Sequence, residues 1–500
     1  MKQIVKKLVV FLLVALLLSV LHSGSWSVDA ETMEKGPLTY EIKDGTATII
    51  AGDTALVGHL EIPSVIEDYP VTAIGDKAFY GCKKLTSVVI PASVTNVGRA
   101  AFASCLALAR IYVDKENPAY CDVDGALFNK NKTEFVCLPD RYGVARYTIP
   151  DGVVAVRSSA FFSCVGLETV KFPDSVTTIG DMAFHFCPSL VEVTLPPQLT
   201  VIPFGMFSSC TDLKKVVIPE SVTVIENSAF SGCKELVDVT IPSGVTEIGN
   251  SVFSNCTSLT QMIIPEKVTK IGRSAFEGCV SLPKIELPDS VTTVGARAFF
   301  FCTAMETADL GAGVVNIGDE AFAGCRMLKN LALPDTLTTI GEQAFHYCTS
   351  LTEVTLPAKV TLIEAGAFSG CDKLVKFVIP AGVFTIQENT FRNCPNLVAI
   401  KLPTSVTSVE QSAFAGCGEL KDVYYSGSAR EKAKIAIEAE NSALSSAVWH
   451  YAVVEEAEKR EPVTNEESGM PGWLKTLLYV GVLAVAILIL VLTIRNTMED

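Results

Sequence analysis

Phenylalanine stands at 161, 184, 207, 230, 253, 276, 299, 322, 345, 368, 391 and 414, each 23 residues after the last. Phe79 and Phe102 keep the same interval ahead of an irregular stretch, and in all fourteen cases cysteine follows three residues later. A strict period of this length is the mark of a repeat array, in which one supersecondary unit is copied and stacked. One unit, from residue 176, reads V-T-T-I-G-D-M-A-F-H-F-C-P-S-L-V-E-V-T-L-P-P-Q, with apolar residues at positions 1, 4, 8, 9, 12, 15, 18 and 20. Neither the helical period nor strand alternation spans that spacing, so the unit must bend several times. A coil turning once per 23 residues places all eight inside.

Within the coil, L-x-x-V-x-[IL]-P predicts a strand ended by its proline. V-T-x-[IV]-G predicts a second short extended segment closed by a glycine turn. A-F-x-x-C-x-x-L, with its 3/4 spacing, predicts a helical or 3₁₀ turn. One coil cannot stand alone, because eight buried side chains do not offset the ordering of 23 backbones. Stacked coils that bury each other's faces can. The expected fold class is therefore an α/β solenoid built of 23-residue coils with capped ends.

The repeated unit resembles the BspA-like branch of the leucine-rich repeat family, over residues 60–424. The stretch 38–76, including "EIPSVIEDYPVTAIGD", resembles that family's N-terminal strand cap, and 423–451 resembles its helical closing unit. Between Phe102 and Phe161 the period fails, and "DGALFNKNKTEFVCLP" predicts a hairpin around Asn129 to Lys132. At Leu310-Gly311 the usual proline is missing, which predicts a more flexible turn.

The ends carry their own signals. Lys2, Lys6 and Lys7 precede the apolar stretch Leu8 to Leu21, and Val28-Asp29-Ala30 offers a small-residue cleavage site, the pattern of a signal peptide. Thr476 to Ile494 is an uncharged run with Tyr479 near its start, flanked by Trp473, Lys475 and Arg495, the pattern of a transmembrane helix. The expected organisation is a signal peptide (1–30), an N-terminal strand cap with the first coil (31–78), a leucine-rich repeat solenoid (79–424) with an excursion (106–149), a helical closing cap (425–453), a charged stalk (454–473), a C-terminal transmembrane helix (474–494) and a cytoplasmic tail (495–500). That order places a single-pass membrane protein at the cell surface with its array outside. A net charge of −15 without a basic stripe argues against a nucleic-acid partner.

Repeated cysteine raises the question of disulfides or metal. Equivalent cysteines on coils stacked about 4.8 Å apart are close enough to bridge, but their near-parallel Cβ vectors oppose the dihedral that a disulfide needs. A straight column also brings too few ligands around one point for tetrahedral zinc. The column is read as buried thiols acting as small hydrophobes. Cys121 and Cys137, off the period, are the candidate disulfide.

No catalytic residue, cofactor or metal is assigned. Two stacked acid pairs, Asp151 with Asp174 and Glu266 with Asp289, match the carboxylate spacing of retaining glycosidases. Acids after proline also commonly begin turns, and Ser243, Ala358, Ala381 and Thr404 fill the same place elsewhere. The residues between Phe and Cys vary more tellingly. Mostly small or polar, they become Phe162, His185-Phe186, Phe300-Phe301 and His346-Tyr347 in four coils, a candidate ligand-binding patch or else packing on a neighbouring turn. The family resemblance implies adhesion or recognition of an extracellular protein or glycan, such as a host matrix protein or another cell's surface. A passive envelope spacer and a solenoid carbohydrate-active enzyme are the alternatives.

Overall fold

A computed structural model describes residues 31–452. The stretches expected as signal peptide, stalk, membrane helix and tail lie outside the described residues. The described residues open with an antiparallel meander, Glu31–Lys35, Leu38–Lys43 and Thr46–Gly52. Its last strand then pairs in parallel with Tyr69–Ile74, which pairs onward with Asn96–Val97. From there each coil contributes a short strand ending in valine or isoleucine, and most contribute a second strand before the proline. Both pair in parallel with their copies 23 residues away, as Val156 does with Ile179 and Val170 with Val193.

All eight inward positions of the quoted unit are buried, from Val176 to Leu195. The phenylalanines form a stacked column, from 4.6 Å between Phe161 and Phe184 to 6.0 Å between Phe368 and Phe391, with interplanar angles of 11° and 10°. Aromatic rings in this offset arrangement add to what their burial alone contributes.

The expected α/β class is overturned: the array is a β-solenoid. Among the described residues the helices are Ala429–Lys432 and Ser442–Ser446, of four and five residues, both in the closing unit. The A-F-x-x-C segment is a series of tight turns. Residues two before and two after every repeat Phe have positive φ, for example Met182 at 54° and Phe186 at 59° around Phe184. Left-handed residues at both places stop a helix from propagating. They also aim alternate N–H groups at the next coil. Met182, Phe184 and Phe186 donate to the carbonyls of Phe204, Met206 and Ser208 at 2.8, 2.9 and 2.9 Å. A helix would spend those donors on its own carbonyls.

The single-pass membrane assignment is likewise withdrawn. No helix among the described residues is long and apolar enough to cross a membrane, and the run on which the assignment rested lies outside them.

The irregular stretch forms an antiparallel sheet, Tyr120–Val123, Ala126–Asn129 and Glu134–Cys137. Its alternating side chains divide the interior. Phe128 and Phe135 join the core that runs on to Leu444, while Leu127 and Val136 join the core that begins at Leu38. Phe135 also continues the ring column, 4.7 Å from Phe161. The turn at Leu310-Gly311 is pinned rather than loose, because Asp289 accepts the Ala312 N–H at 2.7 Å and Asp309 accepts that of Gly311 at 3.1 Å.

At the closing end, Ala436–Ile437 and Val448–Tyr451 extend the two ladders. Asn441 Oδ1 accepts the Phe414 N–H at 3.0 Å, supplying a partner that a further coil would otherwise provide.

Candidate functional site

The row of turns between Phe and Cys forms one edge of every coil. The second residue after Phe, always left-handed, is glycine in six coils, serine in three and asparagine in two. The remaining three carry Phe186, Phe301 and Tyr347, at φ 59°, 58° and 55°. A left-handed conformation costs a bulky L-residue roughly 1–2 kcal/mol, a cost glycine escapes. These three rings are nevertheless 51%, 42% and 50% exposed. They sit where stability alone favours glycine.

The next coil makes room for two of them. A Cβ on Gly324 would come within 3.0 Å of the Phe301 ring, and one on Gly370 within 2.7 Å of Tyr347. Phe301 and Tyr347 lie two coils apart, about 10 Å at the spacing of strands in a sheet. The coil between them presents only Ala323-Gly324 at this edge.

The candidate residues immediately after Phe behave differently. Phe162, His185, Phe300 and His346 are half-buried packing groups. Phe162 lies 5.0 Å from the His185 ring, and burial lowers the pKa of His185. Phe300 lies 4.6 Å from Phe301 and carries the Arg297 guanidinium 4.0 Å above its face. Arg297 is held in turn by Glu277 at 3.1 Å and Glu320 at 3.7 Å, on the coils either side. His346 packs 4.1 Å from Tyr347 and donates from Nδ1 to the Ser369 carbonyl at 3.1 Å; burial lowers its pKa as well. Each exposed ring at 301 and 347 thus leans on a fixed neighbour. Tyr80, 45% exposed and 6.1 Å from Phe162, belongs to the same edge and was missed. Its place directly after Phe79 was the available signal.

Other candidates come apart. Asp151, Asp174, Glu266 and Asp289 are all exposed, and Asp289 is engaged in pinning the next coil's turn. Asp174 borders a cleft of about 650 Å³ on the strand face, together with Lys171, Glu192 and Lys215, but its partner Asp151 does not line it. The Cys121–Cys137 bridge is not formed and both thiols are free. They sit on the two strands that flank Ala126–Asn129, about 10 Å apart, beyond disulfide reach. Among the described residues no group of three or more histidine, cysteine or acidic side chains is placed to hold a metal.

The periodic cysteines are free and buried. Each has a use that burial alone does not reveal. The Cys233 thiol donates to the Phe207 carbonyl at 3.2 Å, and the same carbonyl accepts the Cys210 N–H at 3.1 Å. Cys256, Cys279, Cys302 and Cys325 repeat the 3.2 Å contact to Phe230, Phe253, Phe276 and Phe299.

Comparison with known proteins agrees with this geometry. The family model described as the BspA type leucine rich repeat region (6 copies) matches residues 52–142, 140–260, 246–348 and 315–439. A leucine-rich repeat protein from Bacteroides ovatus ATCC 8483 is 28% identical with a TM-score of 0.57, over 84% of this chain and 99% of that one. A leucine rich cell surface protein from Faecalibacterium prausnitzii A2-165 is 27% identical with a TM-score of 0.41, over 81% and 97%. The pneumococcal vaccine antigen PcpA is 18% identical with a TM-score of 0.46, over 85% and 99%. No curated protein matches the chain.

Proposed function

The chain belongs to the BspA-type leucine-rich repeat family, and from that premise we propose that it is a recognition module whose turn edge grips a protein partner, with adhesion as the role that grip serves. One observation carries the reading: Phe186, Phe301 and Tyr347 are exposed aromatics in a left-handed conformation that eleven other coils give to glycine, serine or asparagine. Strain of this kind persists where a site has a use for the side chain. Aromatic and arginine side chains dominate the energetics of protein interfaces, and Arg297 adds its charge beside Phe300 and Phe301. Fixed rings on a rigid stack also lose little conformational entropy on binding.

The full chain, screened against immobilised matrix proteins and glycans, should retain a protein ligand. Phe301→Asn with Tyr347→Asn should weaken that binding at least tenfold while leaving the unfolding midpoint unchanged or higher, since asparagine tolerates the left-handed turn. Retention of glycans alone would replace the protein partner with a sugar. Undiminished binding by the double variant would remove the edge from the reading.

A further inference from the structure

Beside the sheet that divides the two cores, a cleft of about 420 Å³ opens between Leu106, Leu138, Tyr142, Val144, Val165 and Leu167. One acid lines it. Asp140 is 7% exposed, and its Oδ2 is sealed from solvent without a hydrogen-bond partner. Buried carboxylates are ordinarily paired or hydrogen-bonded, so this one asks for a partner. Burial pushes its pKa up to about 8, with no cation opposing the shift.

The charged groups nearby do not fill that role. Arg157 lines the opposite side of Asp140 but is committed to Glu134, at 2.7 and 3.2 Å. Arg141 stands exposed at the rim of the cleft, and it is its backbone N–H that donates to the Leu108 carbonyl. The adjoining Cys137 and Cys164 thiols are shifted upward by burial and are neutral at pH 7, as is the Tyr142 hydroxyl, also raised.

We propose that this cleft binds a primary ammonium group carried on a short alkyl stem, supplied either by a free alkylamine or by a lysine side chain. The apolar walls suit the stem, and the single acid suits a point charge. A guanidinium pairs best across both oxygens of a carboxylate, and here one of them is sealed. A bare metal cation would need several oxygen ligands, and the cleft offers one carboxylate. The inference is independent of the turn-edge reading, because the cleft shares no residue with that edge's exposed rings.

The test is titration calorimetry of the full chain at pH 8.5, where Asp140 is mostly ionised and alkylammonium groups keep their charge, with three probes: pentylammonium chloride, 1-pentanol and Nα-acetyl-L-lysine methylamide. Pentylammonium should bind saturably, and at least tenfold more tightly than pentanol. Asp140→Asn should weaken pentylammonium at least tenfold. Val165→Trp, which fills the mouth of the cleft while leaving the acid in place, should abolish binding and keeps the test valid if the first variant misfolds. Binding of the lysine derivative would identify a protein side chain as the source; its exclusion while pentylammonium binds would identify a free amine. No saturable binding of pentylammonium, or equal binding after either substitution, overturns the proposal.

Discussion

At the scale of the residue, cysteine in every coil does what valine or alanine could not. Its thiol fills the space of a small hydrophobe, and in twelve of the fourteen coils it also donates to the preceding coil's Phe carbonyl, as Cys233 does for Phe207. Ionising such a thiol loses the donor and buries a charge. Burial pushes Cys279 and Cys325 up to about 12, and Cys233, Cys256, Cys302 and Cys348 well above the ordinary thiol range. In the unfolded chain the same groups titrate near 8.5. The folded pKa is the higher one, so this stabilisation is complete below about pH 8.5 and is lost as pH rises toward 12. Each such thiol contributes about 1.4 kcal/mol per pH unit over that window. Urea midpoints measured in reducing buffer should therefore hold between pH 7 and 8 and fall steeply above 9. Replacing Cys233, Cys256, Cys279 and Cys302 together by alanine should flatten that fall, although the variant starts less stable. A midpoint indifferent to pH between 8 and 10 would contradict a dry column.

The element that sets this fold apart is the turn. The 3/4 spacing of A-F-x-x-C-x-x-L is shared by a helical turn and by the observed turn, and in both it brings the same side chains inward. What separates them is the destination of the backbone N–H groups, and that destination lies on a neighbouring coil, 22 residues on from Phe184 at Met206. Local spacing carries no record of it, which is why the eight inward residues were legible from Val176 to Leu195 and the turn conformation was not. The candidate edge was legible in part for the same reason. Aromatics at the variable positions can be read off the period, but half-buried Phe300 and exposed Phe301 are distinguished only once the left-handed turn sets their directions. Asp140 was not legible at all, since its burial depends on how the irregular sheet closes over it. The glycine that precedes the turn in eight of the fourteen coils belongs to this scale too. A Cβ on Gly272 would stand 2.6 Å from the carbonyl carbon of Gly249, backbone that cannot swing aside. Gly272→Ala should therefore lower stability by about 1–3 kcal/mol, the usual range for overpacking, read as a shift in the urea midpoint. Gly166→Ala, with nothing within 4 Å of its Cβ, is the control and should be near neutral.

For the whole molecule, stability comes from interfaces between identical neighbours rather than from any one coil, so phase along the chain matters more than length. The core from Ala126 to Leu444 is continuous through coil after coil, with the ring column and the thiol contacts repeating at each step. In such an array stability is close to a sum of unit and nearest-neighbour terms. Removing one whole period deletes one unit and one interface and restores the same contacts between the coils left behind. Removing half a period puts Phe opposite strand and exposes the inward face of every coil beyond the cut. Deletion of residues 243–265, 23 in all, joins Pro242 to Glu266, which occupies the place of Ser243 in its own coil. That variant should keep its far-ultraviolet circular dichroism per residue and a single cooperative transition, with a midpoint lowered by only a few degrees. Deletion of residues 243–253, out of phase, should abolish the transition and bind hydrophobic dyes. If the two deletions proved equally damaging, the coils would not be interchangeable layers, and the additive account of this array would fail.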